Sequence, residues 1–498
     1  MSPYETLEAR FRRLGALGEA AGVLQWDMSA IMPSGGAAAR TEQLAALEVT
    51  CHALLAEPLT ADLLSQAEAP ERIQALDPWQ RANLHEMRRR WRHATALEPD
   101  LVDALAKAAK RCEMVWREAR PAGDFAAVLP SLGALLDLVR QAGQAKAEAF
   151  GGPLYDALLD EYEPGCSAAR IDRLFDQLAG FLPELIERAL ARQAASPQAI
   201  LPDGPFPLDR QEALARRLMA RVGFRFDHGR LDVSLHPFCG GVPDDVRITT
   251  RYDEDDFLKA LMGVLHETGH ALYERGLPAA WRLQPVGAAR GMALHESQSL
   301  LIEMQACRGA DFMAFAAPLM REAFDGSGPA WAPENLLRLQ QRVERGFIRV
   351  DADEVTYPAH VVLRYRLERA ILAGDLALAE LPGAWNDLHR ELVGIAPPDD
   401  RLGCLQDIHW YDGAWGYFPT YTLGAMAAAQ LFQAALQAHP EIPEALRGGD
   451  FAPLMTWLGD KVHAQGSSRT TDQILEHATG APLGVESFRR HLEARYAS

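Results

Sequence analysis

His266-Glu267-Thr268-Gly269-His270 sets two imidazoles and a carboxylate at a spacing that can do chemistry. Residues four apart on a helix lie one above the other on one face, so both rings reach the same ion. Glu267, between them, reaches a water held by that ion. With Glu296 further along, the set becomes three protein ligands and one open position, the pattern of a catalytic rather than a structural zinc. The chemistry predicted is metal-assisted hydrolysis of a peptide bond, with Glu267 as general base.

The origin of the third ligand decides the subclass. A metzincin requires glycine at position 273 and histidine at 276, where this chain has Tyr273 and Gly276. The gluzincin pattern instead takes a glutamate from a following helix, here a stretch from about 291 to 308. Twenty-five residues lie between His270 and Glu296, enough for a loop and a return onto the first helix. His295 is the rival ligand, since imidazole suits zinc. Neighbouring helical residues point about 100° apart, so only one of the pair faces the ion, and Glu296 is favoured.

These residues need a scaffold, and the sequence outlines one. The zinc helix is expected over about 254–275, with Asp253 as its cap and Asp256 closing a reciprocal capping interaction. Phe257, Leu261, Val264, Leu265 and Leu272 give it a periodic apolar face, while Arg275, Gly276 and Pro278 read as a last turn, a left-handed stop and a block. Gly263 and Gly269 cost such a helix roughly 1 kcal/mol each relative to alanine. Either they are tolerated, or a side chain there would obstruct metal, water or a close-packed neighbour. Just upstream, residues 224–227, 230–235 and 246–252 alternate like β-strands, with turn signals at His228-Gly229 and from Cys239 to Asp245. They predict a small antiparallel sheet beside the zinc helix: either a local hairpin or an edge strand that pairs with an extended peptide.

Elsewhere helical periodicity dominates, and no Ser/Gly-rich linker interrupts it. The expectation is a mainly α fold with residues 1–498 forming one catalytic domain. The net charge of −18 excludes a nucleic-acid partner. Arg88-Arg89-Arg90 with Arg92 is the one dense basic run, and reads as a solvated helix face. Six scattered cysteines without a C-x-x-C pair suit reduced thiols, with Cys239 and Cys404 read as buried bystanders. The charged N-terminus lacks an apolar signal core, and no run approaches the about eighteen apolar residues of a membrane span. A soluble, cytoplasmic protein without a membrane partner is expected.

Further motifs carry a resemblance. His236-Pro237-Phe238, Asp245-Val246-Arg247-Ile248-Thr249 and His295-Glu296-Ser297-Gln298 accompany the zinc helix. Downstream stand Ile348-Arg349-Val350-Asp351-Ala352-Asp353-Glu354, Gly403-Cys404-Leu405-Gln406-Asp407-Ile408-His409-Trp410 and Gly416-Tyr417-Phe418-Pro419-Thr420-Tyr421. With Gln25-Trp26-Asp27 and Met32-Pro33 near the start, the whole chain resembles the M32 metallocarboxypeptidases typified by carboxypeptidase Taq. Leu300, Ile302, Met304 and Ala425 depart from that family's usual residues.

The resemblance implies two lobes around a deep groove with zinc at its floor, a homodimer, and removal of single residues from free peptide C-termini with broad side-chain tolerance. Cobalt can replace zinc at such ligands. Gripping a free carboxylate calls for a guanidinium fork; Arg349 is the first candidate and Arg247 the second. Tyr421, ahead of Tyr417, is a donor to the oxyanion or the substrate terminus. His236, Asp245, Asp407 and His409 shape the cleft or orient ligands. Asp351, Asp353 and Glu354 read as hydrogen-bond acceptors or salt-bridge partners rather than a second metal site, and Trp26, Asp27 and Met32-Pro33 as a seal at one end of the groove. The rivals are a gluzincin endopeptidase or oligopeptidase, a dipeptidyl carboxypeptidase, and a zinc-stabilised peptide-binding scaffold.

Overall fold

The computed structural model describes residues 1–498. Twenty-one α-helices and one three-stranded sheet make up its regular structure, as the helical periodicity predicts. Ninety-five buried residues form one main core. Eight more, including Tyr4, Leu7, Phe11, Leu64 and Met87, form a separate small core among helices Pro3–Ala30, Pro58–Ala67 and Pro78–Thr95. The N-terminal helices are thus packed on themselves as well as on the body. Buried polar contacts join the two. Asn83 donates to Gln284 Oε1 at 3.0 Å, and the Arg290 guanidinium meets Glu86 at 2.6 Å with both side chains 4% exposed.

Helix Phe125–Phe150 is long and apolar enough to cross a membrane by length and composition. Here it buries Val128, Leu132, Leu135 and Val139 in the main core. The basic run is not simply a solvated face: Arg88 pairs with Glu68, and Arg89 reaches both Glu86 and Asp160. Glu68 and Asp160, presented by neighbouring elements, draw these two guanidiniums inward.

The sheet differs from expectation in order and sense. Its strands are β1 (Gly229–Val233), β2 (Phe238–Val242) and β3 (Asp245–Thr250), in the order β1-β3-β2. β1 runs parallel to β3 and β2 antiparallel to it, so the sheet is mixed. Residues 224–227 form no strand, because the chain turns there with His228 N bonded to Arg225 O. β2 falls where glycines predict a turn. Those glycines serve packing instead: a Cβ on Gly240 would stand 3.3 Å from the Trp26 ring, and Gly241, at φ +83°, would press a Cβ on Asp245 O. Trp26 on the first helix therefore packs against the sheet.

The helix that carries His266 and His270 spans Phe257–Gly276. Its cap is Asp256, which accepts from Lys259 N at 3.1 Å, while Asp253 closes only a local turn with Asp255 N. Capping by Asp256 starts the helix at Phe257, so no reciprocal pair with Asp253 forms. Gly276 is its last helical residue and not a left-handed stop. Glycine is needed there because a Cβ would stand 2.6 Å from the His463 ring. Gly269 has a comparable reason, since its Cβ would lie 2.4 Å from Gln298 O and 2.6 Å from Ser299 Cα. Gly263 faces open space. The two helix glycines thus divide between close approach and tolerance.

Candidate active site

The third-ligand segment crosses helix Phe257–Gly276 at Gly269. It is helical from Met292 to Leu300, and continues as a π-helical turn over Leu301–Cys307. Glu163 caps its start, accepting from Ala293 N at 2.8 Å. On its far side Gly424 of helix Pro419–Ala438 packs flush, where a Cβ would stand 2.8 Å from Glu296 Cβ. Two glycines on opposite flanks therefore fix how close Glu296 can come to the histidines.

His266, His270 and Glu296 converge, with one ligand atom of each within 4.8 Å of the others. Glu296 Oε2 lies 3.4 Å from His270 Nε2 and 3.9 Å from His266 Nε2. Two ligands at about 2 Å from a shared ion stand at most about 4 Å apart, so the donor set fits one small divalent cation. His295 turns away: its Nε2 bonds Glu274 Oε1 at 2.8 Å while its ring stacks on His270 at 4.6 Å. Glu296, and not His295, is the residue brought together with His266 and His270.

The electrostatics also call for a cation. Burial depresses the His266 imidazolium, yet the Glu303 hydrogen bond and the charges of Glu296, Glu267 and Glu303 raise its pKa to about 10. Glu296 is buried but held at about 2 by His270 and His266. Glu267 moves the other way, up to about 7: burial is the main cause, and Glu296 and Glu303 add to it against the pull of His266. Burial and the neighbouring carboxylates thus move Glu267 towards neutrality beside the ligand cluster.

Glu303 escaped the sequence reading. It accepts from His266 Nδ1 at 2.9 Å, fixing the tautomer that leaves Nε2 free for a metal, and is itself held by Arg308 at 2.7 Å. The signal was present, since seven residues separate it from Glu296 and return it to nearly the same helical face.

A cavity of about 260 Å³ adjoins the ligands, lined by His266, Glu296, Glu303 and Arg349 among others. Arg349 is buried, and its Nε and Nη2 bond Asp407 Oδ1 at 3.0 and 2.8 Å while Nη1 bonds the Tyr357 hydroxyl at 2.8 Å. Gln406 Oε1 accepts from Arg349 N, fixing the backbone as well. Asp407 Oδ2 accepts from Arg364 at 2.6 Å, so one carboxylate serves two guanidiniums. Despite full burial, those cations hold its carboxyl far below the usual range. Arg364 was not singled out from sequence, and Tyr357, in the motif Thr356-Tyr357-Pro358 that shares in the family resemblance, was given no role there. Arg364 was discernible only as one of two arginines, with Arg366, in the otherwise apolar and aromatic run from Val361 to Leu367.

Tyr421 and Tyr417 belong to the same neighbourhood. The Arg349 guanidinium sits 4.8 Å from the Tyr421 ring, and His409 Nε2 is 3.1 Å from the Tyr421 hydroxyl. Burial lowers His409 to about 4, outweighing Asp407, so its imidazole is neutral. Tyr417 packs between Tyr421 and Tyr162. Arg247 lies apart, paired with Asp245 and lying 4.7 Å over the Trp26 ring. His236 is exposed in the β1–β2 loop. The acidic residues after Arg349 disperse: Asp351 pairs with Lys259, Asp353 caps Val355 and Thr356, and Glu354 meets His491, Arg495 and Tyr496. Burial, with Glu267 and Glu274 nearby, raises the Cys239 thiol well above its ordinary value, which suits an inert bystander.

A helical body holding a two-histidine, one-glutamate centre beside a buried arginine defines a metal-dependent peptide hydrolase. The family model of the carboxypeptidase Taq (M32) metallopeptidases matches residues 6–496. The chain belongs to that family and is a metallocarboxypeptidase. It is 36% identical to thermostable carboxypeptidase 1 of Thermus thermophilus, over 99% of this chain and 98% of that relative. Among solved structures it is similar to Trypanosoma cruzi metallocarboxypeptidase 1, with a TM-score of 0.97, 42% identity and coverage of 100% and 99% of the two chains. It also resembles Pyrococcus furiosus carboxypeptidase, with a TM-score of 0.94, 31% identity and coverage of 100% and 99%.

Proposed function

We propose that this chain is a zinc-dependent carboxypeptidase that removes one residue at a time from free peptide C-termini, with broad side-chain tolerance and Glu267 as general base. One observation carries the reading. Arg349 and Arg364 share the single carboxylate of Asp407, and Arg349 lines a cavity with His266 and Glu296. That leaves one unmatched positive charge in a buried place, the complement of a substrate carboxylate. Asp407 and Tyr357 take only part of the five N–H donors of Arg349, so others remain for a substrate.

His266, His270 and Glu296 hold the metal. When bound, a divalent ion there supplies Lewis-acid polarisation of the scissile carbonyl and a more acidic attacking water. Glu267 takes the proton of the attacking water and delivers it to the leaving amine. Arg349 positions the terminal carboxylate, and Tyr421, with Tyr417 behind it, donates to the oxygen on which charge develops. Neutral His409 orients the Tyr421 hydroxyl. Zinc is the metal favoured by a nitrogen-rich three-ligand set, with cobalt able to replace it.

Leu300, Met304, Val350 and Ala425 lend the cavity apolar walls, while Glu303, Arg308 and Glu354 add polar ones. This mixed lining supports tolerance of varied C-terminal side chains. Three of the departures from the family pattern, Leu300, Met304 and Ala425, fall on these walls, so they tune which side chain fits. The upstream part of the peptide is taken by main-chain pairing at β2, an edge strand of the sheet. A homodimer in a reducing cytoplasm completes the proposal, supported by the family resemblance and six free cysteines.

Glu267→Gln tests the mechanism. It is expected to keep one zinc per chain by elemental analysis and to lose about 10²–10⁴-fold in kcat. Turnover within a few-fold of the parent would refute Glu267 as the base.

A further inference from the structure

A second chamber, of about 590 Å³, lies near the C-terminal ends of helices Ala168–Ala195 and Pro333–Gln340 and the end of the chain. Its walls carry four arginines, Arg192, Arg338, Arg342 and Arg495, against one carboxylate, Glu334. That balance opposes the −18 of the chain as a whole. The chamber is distinct from the active-site cavity. Arg495 and Tyr496 stand between the two, both bonded to Glu354 on the active-site side, at 3.2 and 2.8 Å.

The arginines differ in what they already hold. Arg495 is engaged by Glu354 and by the carbonyl of Gln305. Arg342 pairs with Glu344, but those side chains are 61% and 67% exposed, and such a pair holds weakly. Arg192 donates only to the carbonyl of Arg495, at 2.8 Å. Arg338 makes no hydrogen bond or ion pair, and its Nε is buried without a partner. Both Arg192 and Arg338 sit in the last turn of their helices, where carbonyl ends favour a cation. That accounts for a basic residue at each position. It leaves Arg338 without a protein acceptor at the chamber wall, with donors open to a ligand.

We propose that this chamber binds a small phosphate-bearing metabolite. Its phosphoryl group is taken by Arg192, Arg338 and Arg342, whose guanidinium forks match several acceptor oxygens on one dianion. Its organic part lies against Leu337, Val343 and Tyr496. The chamber volume falls within the roughly 300–1,000 Å³ of small-molecule sites.

The test is calorimetric titration of the full-length zinc-loaded protein, at fixed ionic strength, with adenosine 5′-monophosphate, inorganic phosphate and adenosine. The expected result is saturable, one-to-one binding of the nucleotide that weakens at least about tenfold in Arg338→Gln, with an unchanged melting temperature and peptide hydrolysis rate. Adenosine should not bind. Equal affinity for inorganic phosphate would identify the free anion as the ligand and still support the site. Absence of saturable heat with both phosphate compounds at millimolar concentration would overturn the proposal. So would binding that survives Arg338→Gln, which would place the anion at the metal or at Arg349. Should Arg338→Gln fail to fold, exposed Arg192→Gln is read in the same way.

Discussion

Asp407 determines what Arg349 can do. By accepting from both Arg349 and Arg364, it anchors the fork without fully cancelling its charge. Lysine cannot reproduce that geometry, because its single ammonium cannot hold Asp407 and Tyr357 while facing a substrate carboxylate. Arg349→Lys should therefore lower kcat/KM on a free-ended peptide by about 10²-fold or more, mainly through KM, with metal content unchanged. A parental KM in the variant would remove Arg349 from the binding role and turn attention to Arg247. The clustering of His266, His270 and Glu296 was legible in sequence because a four-residue spacing is a local code and Glu296 follows on the next helix. Arg364 and Tyr357 were not, since their importance comes from meeting Asp407 and Arg349 across a fold that no local spacing reveals. Glu303 lies between these cases: its seven-residue offset from Glu296 was readable, but its partner, His266, was not.

Two glycines of the zinc helix make a matched pair. At Gly269 a Cβ would overlap Gln298 O and Ser299 Cα, forcing the third-ligand helix away and carrying Glu296 with it. At Gly263 a Cβ meets nothing. Gly269→Ala should weaken metal retention and lower the melting temperature. Gly263→Ala should stabilise by up to about 1 kcal/mol by removing the glycine entropy cost. Equal behaviour of the two variants, in chelator competition and thermal unfolding, would show that the crossing point does not place Glu296. The helix itself was visible in its apolar period, but its cap was displaced by three residues, because Asp253 and Asp256 are both competent caps and only packing selects between them. β2 was hidden for the opposite reason. Its glycines resemble a turn in sequence, and their purpose appears only once Trp26 is packed against the strand.

At the scale of the whole molecule, the N-terminal helices with their own small core are attached through a buried ion pair. Glu86 and Arg290 are each 4% exposed, and burial opposes the Glu86 charge while Arg290 and Arg89 hold its pKa down. Glu86→Ala leaves Arg290 buried and unpaired, a loss of about 3–5 kcal/mol. The double change Glu86→Leu with Arg290→Met should recover much of it. Calorimetric melting of the three proteins checks this, and a double variant no better than the single one would contradict it. The central claim concerns which bond this molecule cuts, and a mass-resolved time course on one peptide tests it most directly. The peptide is offered with a free C-terminus and with an amide, with and without a chelator, followed by added zinc. The account predicts a ladder of single-residue losses from the free end, slow or absent cleavage of the amide, and arrest by the chelator that zinc reverses. Internal fragments, losses in pairs, or turnover undiminished by the chelator would contradict it.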